Sequence, residues 1–220
     1  TSITDTSDST TLSLTASASV VEGGNITYTA SVTNPTGTAL VVTLSNGSSI
    51  TIPAGQSSGN VSVAAPSDDV YIDAGSVTVS VTGTSGGNYE NLQNGSISAT
   101  TAITDDSDST TLNLTGTASV VEGGSIVYSA SLTNPTGTAL TITLSNGAVI
   151  NIAANASTGS VTVAAPSDDA VIDAGSVSVT VASTSGGNYE QLTVGTGNAG
   201  NPVITTVTDD RSEERRVGKE

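Results

Sequence analysis

The chain has 220 residues, a formal net charge of −16, 35% hydrophobic residues and only 2% aromatic ones. It contains no Cys, His, Met, Trp or Phe, which excludes disulfides, thiolate or imidazole metal sites, and Ser-His or Cys-His nucleophile pairs. The only basic residues, Arg211, Arg215, Arg216 and Lys219, fall within 211–220, so residues 1–210 form an unrelieved acidic body that excludes nucleic acid and anionic membranes as charge-driven partners.

The longest apolar run, Ala39-Leu40-Val41-Val42, is far too short to cross a bilayer, and no direct membrane insertion is expected. With Tyr as the only aromatic, a stacking platform for bases or sugars is not expected either.

The sequence repeats at an offset of 100. STTLSLTASASVVEGG (9–24) returns as STTLNLTGTASVVEGG (109–124), TNPTGTAL (33–40) at 133–140, and TSGGNYE (84–90) at 184–190. A period of that length is a whole domain, not a solenoid unit. We therefore expect one domain over 1–104 and a second over 105–210. The segment SITD (2–5) matches the end of a repeat, so the chain reads as an excerpt of a longer array. The tail RSEERRVGKE (211–220) breaks with the preceding composition. It resembles the translation of a sequencing adapter and is expected to be artefactual.

Within each repeat, apolar residues alternate with Thr and Ser at a period of two, the pattern of a half-buried strand. In chain order the first copy predicts strands around Leu12 and Leu14, Ile26 to Val32, Leu40 to Leu44, and Ile50 to Ile52. Strands around Val61 to Ala65, Val77 to Val81, and Ile97 to Ile103 follow. Turn signals separate them: EGG (22–24), NPTG (34–37), NG (46–47), PAG (53–55), PSDD (66–69) and GGN (86–88). No stretch has helical spacing. The expected fold is all-β: two tandem immunoglobulin-like β-sandwich domains of about seven strands each, arranged end to end. Tyr28 and Tyr128 are expected in the cores. With seven strands of alternating direction, the first and last of a domain point the same way.

This alternation gathers the acids. Glu22, Asp68, Asp69 and Asp73 are expected at the exit end of the first domain, beside Asp105, Asp106 and Asp108 of the linker. The entry end of the next domain brings Glu190. The second copy repeats the set with Glu122, Asp168, Asp169, Asp173, Asp209 and Asp210, and the first domain's own entry end carries Asp5, Asp8 and Glu90.

An Asp in a turn often only caps its own backbone. A cluster with no base nearby is different, because close carboxylates repel by up to about 4 kcal/mol per pair at an effective dielectric near 20. A hard divalent ion turns that cost into attraction. Calcium takes six to eight oxygens in flexible geometry, whereas magnesium demands a tighter octahedron. Ca2+ is therefore the expected cofactor, and all of these acids are its candidate ligands. The other constellations are weak. DAGS (73–76) sits in an acid-rich turn, GTGNAG (195–200) follows no strand-to-helix pattern, and no aromatics line a cleft for a glycosidase. No enzyme and no small-molecule substrate are expected.

The segments TDDSDSTTLNLT, VVEGGSIVYSASLTNPTGTAL, AAPSDD and SGGNYE together resemble the calcium-dependent extender repeats of giant bacterial RTX adhesins, of the ice-binding and biofilm type. The resemblance covers residues 1–210. It implies tandem Ig-like spacers that hold a distal ligand-binding region away from the surface of a Gram-negative bacterium. It also implies calcium at the junctions and type I secretion to the exterior. The partners would be neighbouring repeats of the same chain, in a monomer. The alternative is a module binding sugar or ice directly through its loops or Thr/Ser faces. Thr27, Thr29 and Ser31 would form such a row, but their copies are Val127, Ser129 and Ser131.

Overall fold

The computed structural model describes residues 7–168 and 175–209. The expectations for Asp5, Asp169, Asp173, Asp210 and the 211–220 tail lie outside these residues. The chain divides into two compact units, Thr1–Asp69 with Asp73–Asp106, and Val70–Ile72 with Ser107–Glu220.

Among its described residues the first unit has β1 (Ser9–Ala16), β2 (Ser19–Val21), β3 (Asn25–Val32), β4 (Leu40–Leu44) and β5 (Ser49–Ile52). These are followed by β6 (Ser58–Ala64), β7 (Gly75–Gly86), β8 (Asn91–Gln93) and β9 (Ser98–Thr104). They form a four-stranded sheet ordered β6-β3-β1-β8 and a five-stranded sheet ordered β2-β9-β7-β4-β5. The alternation decides which face is inside. In β1 and β3 every second residue is buried, and Leu12, Leu14, Ile26, Tyr28, Ala30 and Val32 meet Leu40, Val42, Leu44, Ile50 and Ile52 of the facing sheet. The Thr and Ser between them mostly face water, where their β-branched or short polar side chains suit a pleated surface.

All seven expected strands are present, and β2 and β8 are additional. Both arise because a terminal strand changes sheets part-way along. The first strand leaves β3 at Ser17-Ala18 and continues as β2, and the last strand passes from β8 to β9 through 94–97. β1 thereby pairs in parallel with β8, and β2 in parallel with β9. The first and last strands do run the same way.

The second unit repeats this plan with β10 (Ser109–Gly116), β11 (Ser119–Val121), β12 (Ser125–Leu132), β13 (Leu140–Leu144) and β14 (Val149–Ile152). β15 (Thr158–Ala164), β16 (Gly175–Val179), β17 (Val181–Gly186), β18 (Gln191–Val194) and β19 (Val203–Thr208) complete it. The stretch matching β7 is broken at Thr180 into β16 and β17. The longer connection before β19 is closed by Asn198, whose side-chain oxygen accepts from the Gly200 and Asn201 N–H groups and whose amide donates to Val194 and Gly195 carbonyls. The core again centres on a fully buried tyrosine, Tyr128. The chain is thus all-β, with two tandem β-sandwich domains, and no helix occurs among the described residues.

Candidate metal centre

Strand register explains how the acids of the first unit meet. β2 runs parallel to β9 with Val21 opposite Thr104, and β7 runs antiparallel to β9 with Gly75 opposite Ile103. Glu22 follows β2, Asp105 follows β9, and Asp73 precedes β7. Three residues distant in sequence therefore stand at three adjoining strand ends. The Glu22 N–H donates to the Thr104 carbonyl at 3.1 Å, fixing the turn. Gly23 follows with φ +66, a conformation that favours glycine. Its N–H donates to Pro66 O at 2.7 Å, and a Cβ there would lie 3.2 Å from Cβ of Asp68. The EGG turn thereby brings the PSDD loop to the same end.

One carboxylate oxygen from each of Glu22, Asp73 and Asp105 lies within 4.8 Å of the others. Glu22 is only 7% exposed. Its Oε2 and the Oδ1 of Asp105 are shielded from solvent and have no hydrogen-bond partner. Asp73 is exposed and Asp105 half-buried. With all three ionised the group contains no donor, so it is stable only with a proton or a cation among the oxygens. A proton shared with Asp73, then burial, then the charge of Asp73 and the bond and charge of Asp105 push Glu22 from 4.5 up to about 7.

This shift has a definite sign. Folding raises the pKa, so the associated stability is complete below about 4.5 and disappears as pH climbs through about 7. In chelator, the first unit is expected to melt at a higher temperature at pH 5 than at pH 8, and Glu22→Gln is expected to flatten that slope. A calorimetric pH series on both proteins checks it.

Asp68 and Asp106 also place carboxylate oxygens within 4.8 Å of each other, both on exposed side chains. Asp69 is half-buried beside them in sequence and outside the Glu22 group. Asp8 and Glu90 meet at the start of β1, where the Asp8 N–H donates to the Glu90 carboxylate at 2.7 Å. In the second unit the Asp108 N–H donates to Glu190 Oε2 at 2.6 Å. There too, Glu122 is 6% exposed and its N–H donates to Thr208 O at 3.0 Å. Val121 is opposite Thr208, so Glu122 and Asp209 occupy adjoining strand ends, as Glu22 and Asp105 do. Gly123 approaches Asp168 as Gly23 approaches Asp68, with a Cβ-to-Cβ distance of 3.5 Å.

Sequence reasoning overlooked Tyr71. The signal was an aromatic residue inside an acid-rich loop whose copy at 171 is Val.

Two domains of one all-β plan, with acids gathered at strand ends and a uniformly acidic body, define a tandem β-sandwich repeat protein. The chain belongs to the LapA domain family, matched over residues 8–106 and again over 108–210. Membership and fold make it an adhesin-type repeat of the cell surface, structural in kind. No curated protein matches the chain.

Proposed function

We propose that these repeats are calcium-rigidified spacers of a secreted adhesin, which project a ligand-binding region carried elsewhere in the protein from the surface of a Gram-negative bacterium. The observation that supports this most directly is Glu22, a buried carboxylate with one oxygen unpartnered, set against two further carboxylates in a region with no Lys or Arg. Glu22, Asp73 and Asp105 would hold the ion, which would supply positive charge among oxygens that otherwise repel. Calcium suits the site because its coordination number and geometry are flexible and carbonyls or water complete its shell.

The functional consequence follows from position. Asp105 is the second residue of TDDSDST (104–110), the segment that links one repeat to the next. An ion shared by Glu22, Asp73 and Asp105 ties the start of that linker to β2 and β7, removing bending freedom from the chain at that point. Reach then grows with the number of repeats, and stiffness with calcium. For extracellular modules a dissociation constant of about 10⁻⁴–10⁻³ M is expected. At tenfold excess over that value the ion would stabilise the first unit by about 1.4 kcal/mol.

Small-angle scattering in millimolar CaCl2 and in EDTA tests this reading. A stiffer, longer particle is expected with calcium. Asp105→Asn combined with Asp106→Asn should abolish the difference while each unit stays folded by circular dichroism. Identical profiles of the unaltered chain in the two buffers would defeat the spacer mechanism.

A further inference from the structure

The second unit includes Val70–Ile72, which lie along Asn188–Glu190 as an added extended segment. The Ile72 N–H donates to Asn188 O at 3.1 Å, the Asn188 side-chain amide donates to Ile72 O at 3.1 Å, and the Glu190 N–H donates to Val70 O at 3.1 Å. Tyr71 opposes Tyr189 as an antiparallel bridge, and their rings stack with centroids 5.8 Å apart. The Tyr71 hydroxyl donates to the Pro135 carbonyl at 2.7 Å. Its ring covers Gly137, where a Cβ would come within 3.0 Å of it. Main-chain bonds along a short edge, with one aromatic anchor in a pocket, are the physics of an added strand.

The first unit carries the same receptor 100 residues earlier. Asn34, Pro35, Gly37, Asn88, Tyr89 and Glu90 line an open groove of about 560 Å³. Its backbone is already set for the task. Asn88 has φ 58, the same as Asn188. The Tyr89 hydroxyl donates to Asn34 O at 2.7 Å, as Tyr189 does to Asn134 O at 2.9 Å. The Gly37 N–H donates to Gly87 O at 3.1 Å, as Gly137 does to Gly187 O at 3.0 Å. Tyr89 is half-buried and Gly37 exposed, whereas Tyr189 is buried and Gly137 half-buried. A receptor that needs no rearrangement to accept its segment avoids most of the ordering cost of binding.

We propose that the first unit's groove receives the aliphatic-Tyr-Ile loop of another repeat in the same polypeptide, in the way Val70–Ile72 are received by the second unit. The proposal stands independently of calcium. It also sorts repeats by the loop they offer: residues 170–172 read Ala-Val-Ile, a loop without the ring that stacks and the hydroxyl that reaches the proline carbonyl.

The test uses the full chain in EDTA and a fluorescent peptide of residues 67–74. The second groove is held by its tethered segment, whose effective concentration keeps a dissolved peptide out. We expect saturable anisotropy, with amide shifts at Asn88, Tyr89 and Glu90 by NMR. Gly37→Ala should weaken binding at least about tenfold, because a methyl there takes the ring's place. That methyl meets nothing closer than 3.7 Å in the first unit itself, so the fold is kept. A peptide with Tyr71→Ala should fail to bind, and one with Tyr71→Phe should bind more weakly than the original. Absence of binding at millimolar peptide, equal binding by the Gly37→Ala chain, or shifts confined to 188–190 would each overturn the proposal. So would concentration-dependent self-association that Gly37→Ala abolishes, since it would place the loop on a second chain.

Discussion

Tyr28→Ala is expected to cost the first unit about 3–5 kcal/mol, a large share of the roughly 5–15 kcal/mol that holds a domain folded. Tyr28 is fully buried in the middle of β3, opposite Ala16 on one side and Val61 on the other. Its neighbours in the core are Leu, Ile, Val and Ala. Tyr89 also packs against this core but is held by its hydroxyl on the Asn34 carbonyl, so refilling the cavity falls to shorter aliphatic side chains. The hydroxyl contributes little, since it is buried without a hydrogen-bond partner and burial raises its pKa. Tyr28→Phe should therefore be neutral or mildly stabilising, which separates the ring's volume from its polar atom. Calorimetry should show a lost or strongly lowered transition for Tyr28→Ala, with the transition of the second unit retained, because that unit has its own core around Tyr128. A small shift in Tyr28→Ala would mean that the core relaxes far more than close packing allows.

Gly86→Ala is expected to cost about 3 kcal/mol, the next largest effect. Gly86 ends β7 opposite Leu40, with φ +83. A side chain in that conformation costs about 1–2 kcal/mol by itself. Here the added Cβ would also collide with the Ala39 carbonyl, so β4 and β7 must separate. Gly47 is the matching control: it has the same φ, +83, but nothing within 4 Å of its missing Cβ. Gly47→Ala should therefore show the conformational cost alone. Urea midpoints for the two variants give the difference, and equal costs would refute the collision. Because Gly86 leads into Asn88 and Tyr89, the first variant should also deform the groove these residues line.

Most of the fold is legible in the sequence because alternation is a strong local signal. In β1, β3 and β5 each apolar position read as inward is buried. β6 is weaker, since Val61 and Val63 are only half-buried. The change of sheet at Ser17-Ala18 was not legible. Both halves of that strand keep the same alternation, and the partner of each half is chosen by tertiary packing. The triad was partly legible. Glu22, Asp73 and Asp105 could be sent to one end by counting strand directions, but so could Asp68, Asp69 and Asp106. Only the register of β2 and β7 on β9 shows which carboxylates converge. Glu190 is expected beside the linker acids and Glu90 beside Asp5 and Asp8 at the entry end, and the structure sets each against a backbone N–H, of Asp108 and Asp8 respectively. Tyr71 was illegible for a different reason. Its partners Pro135 and Tyr189 lie far along the chain, and no periodicity connects them.

The parallel pairing of first strand with last has a mechanical consequence. An adhesin is pulled by its two chain ends. In the first unit those ends lead into β1 and out of β9, and the pairs β1–β8 and β2–β9 run the same way. Tension then slides the paired strands past each other along their length, loading the three register pairs of each patch together. An antiparallel hairpin pulled from its open end would surrender one bond at a time. Resistance to such loading is governed by the unfolding rate, so a domain of ordinary thermodynamic stability can still act as a strong link under tension.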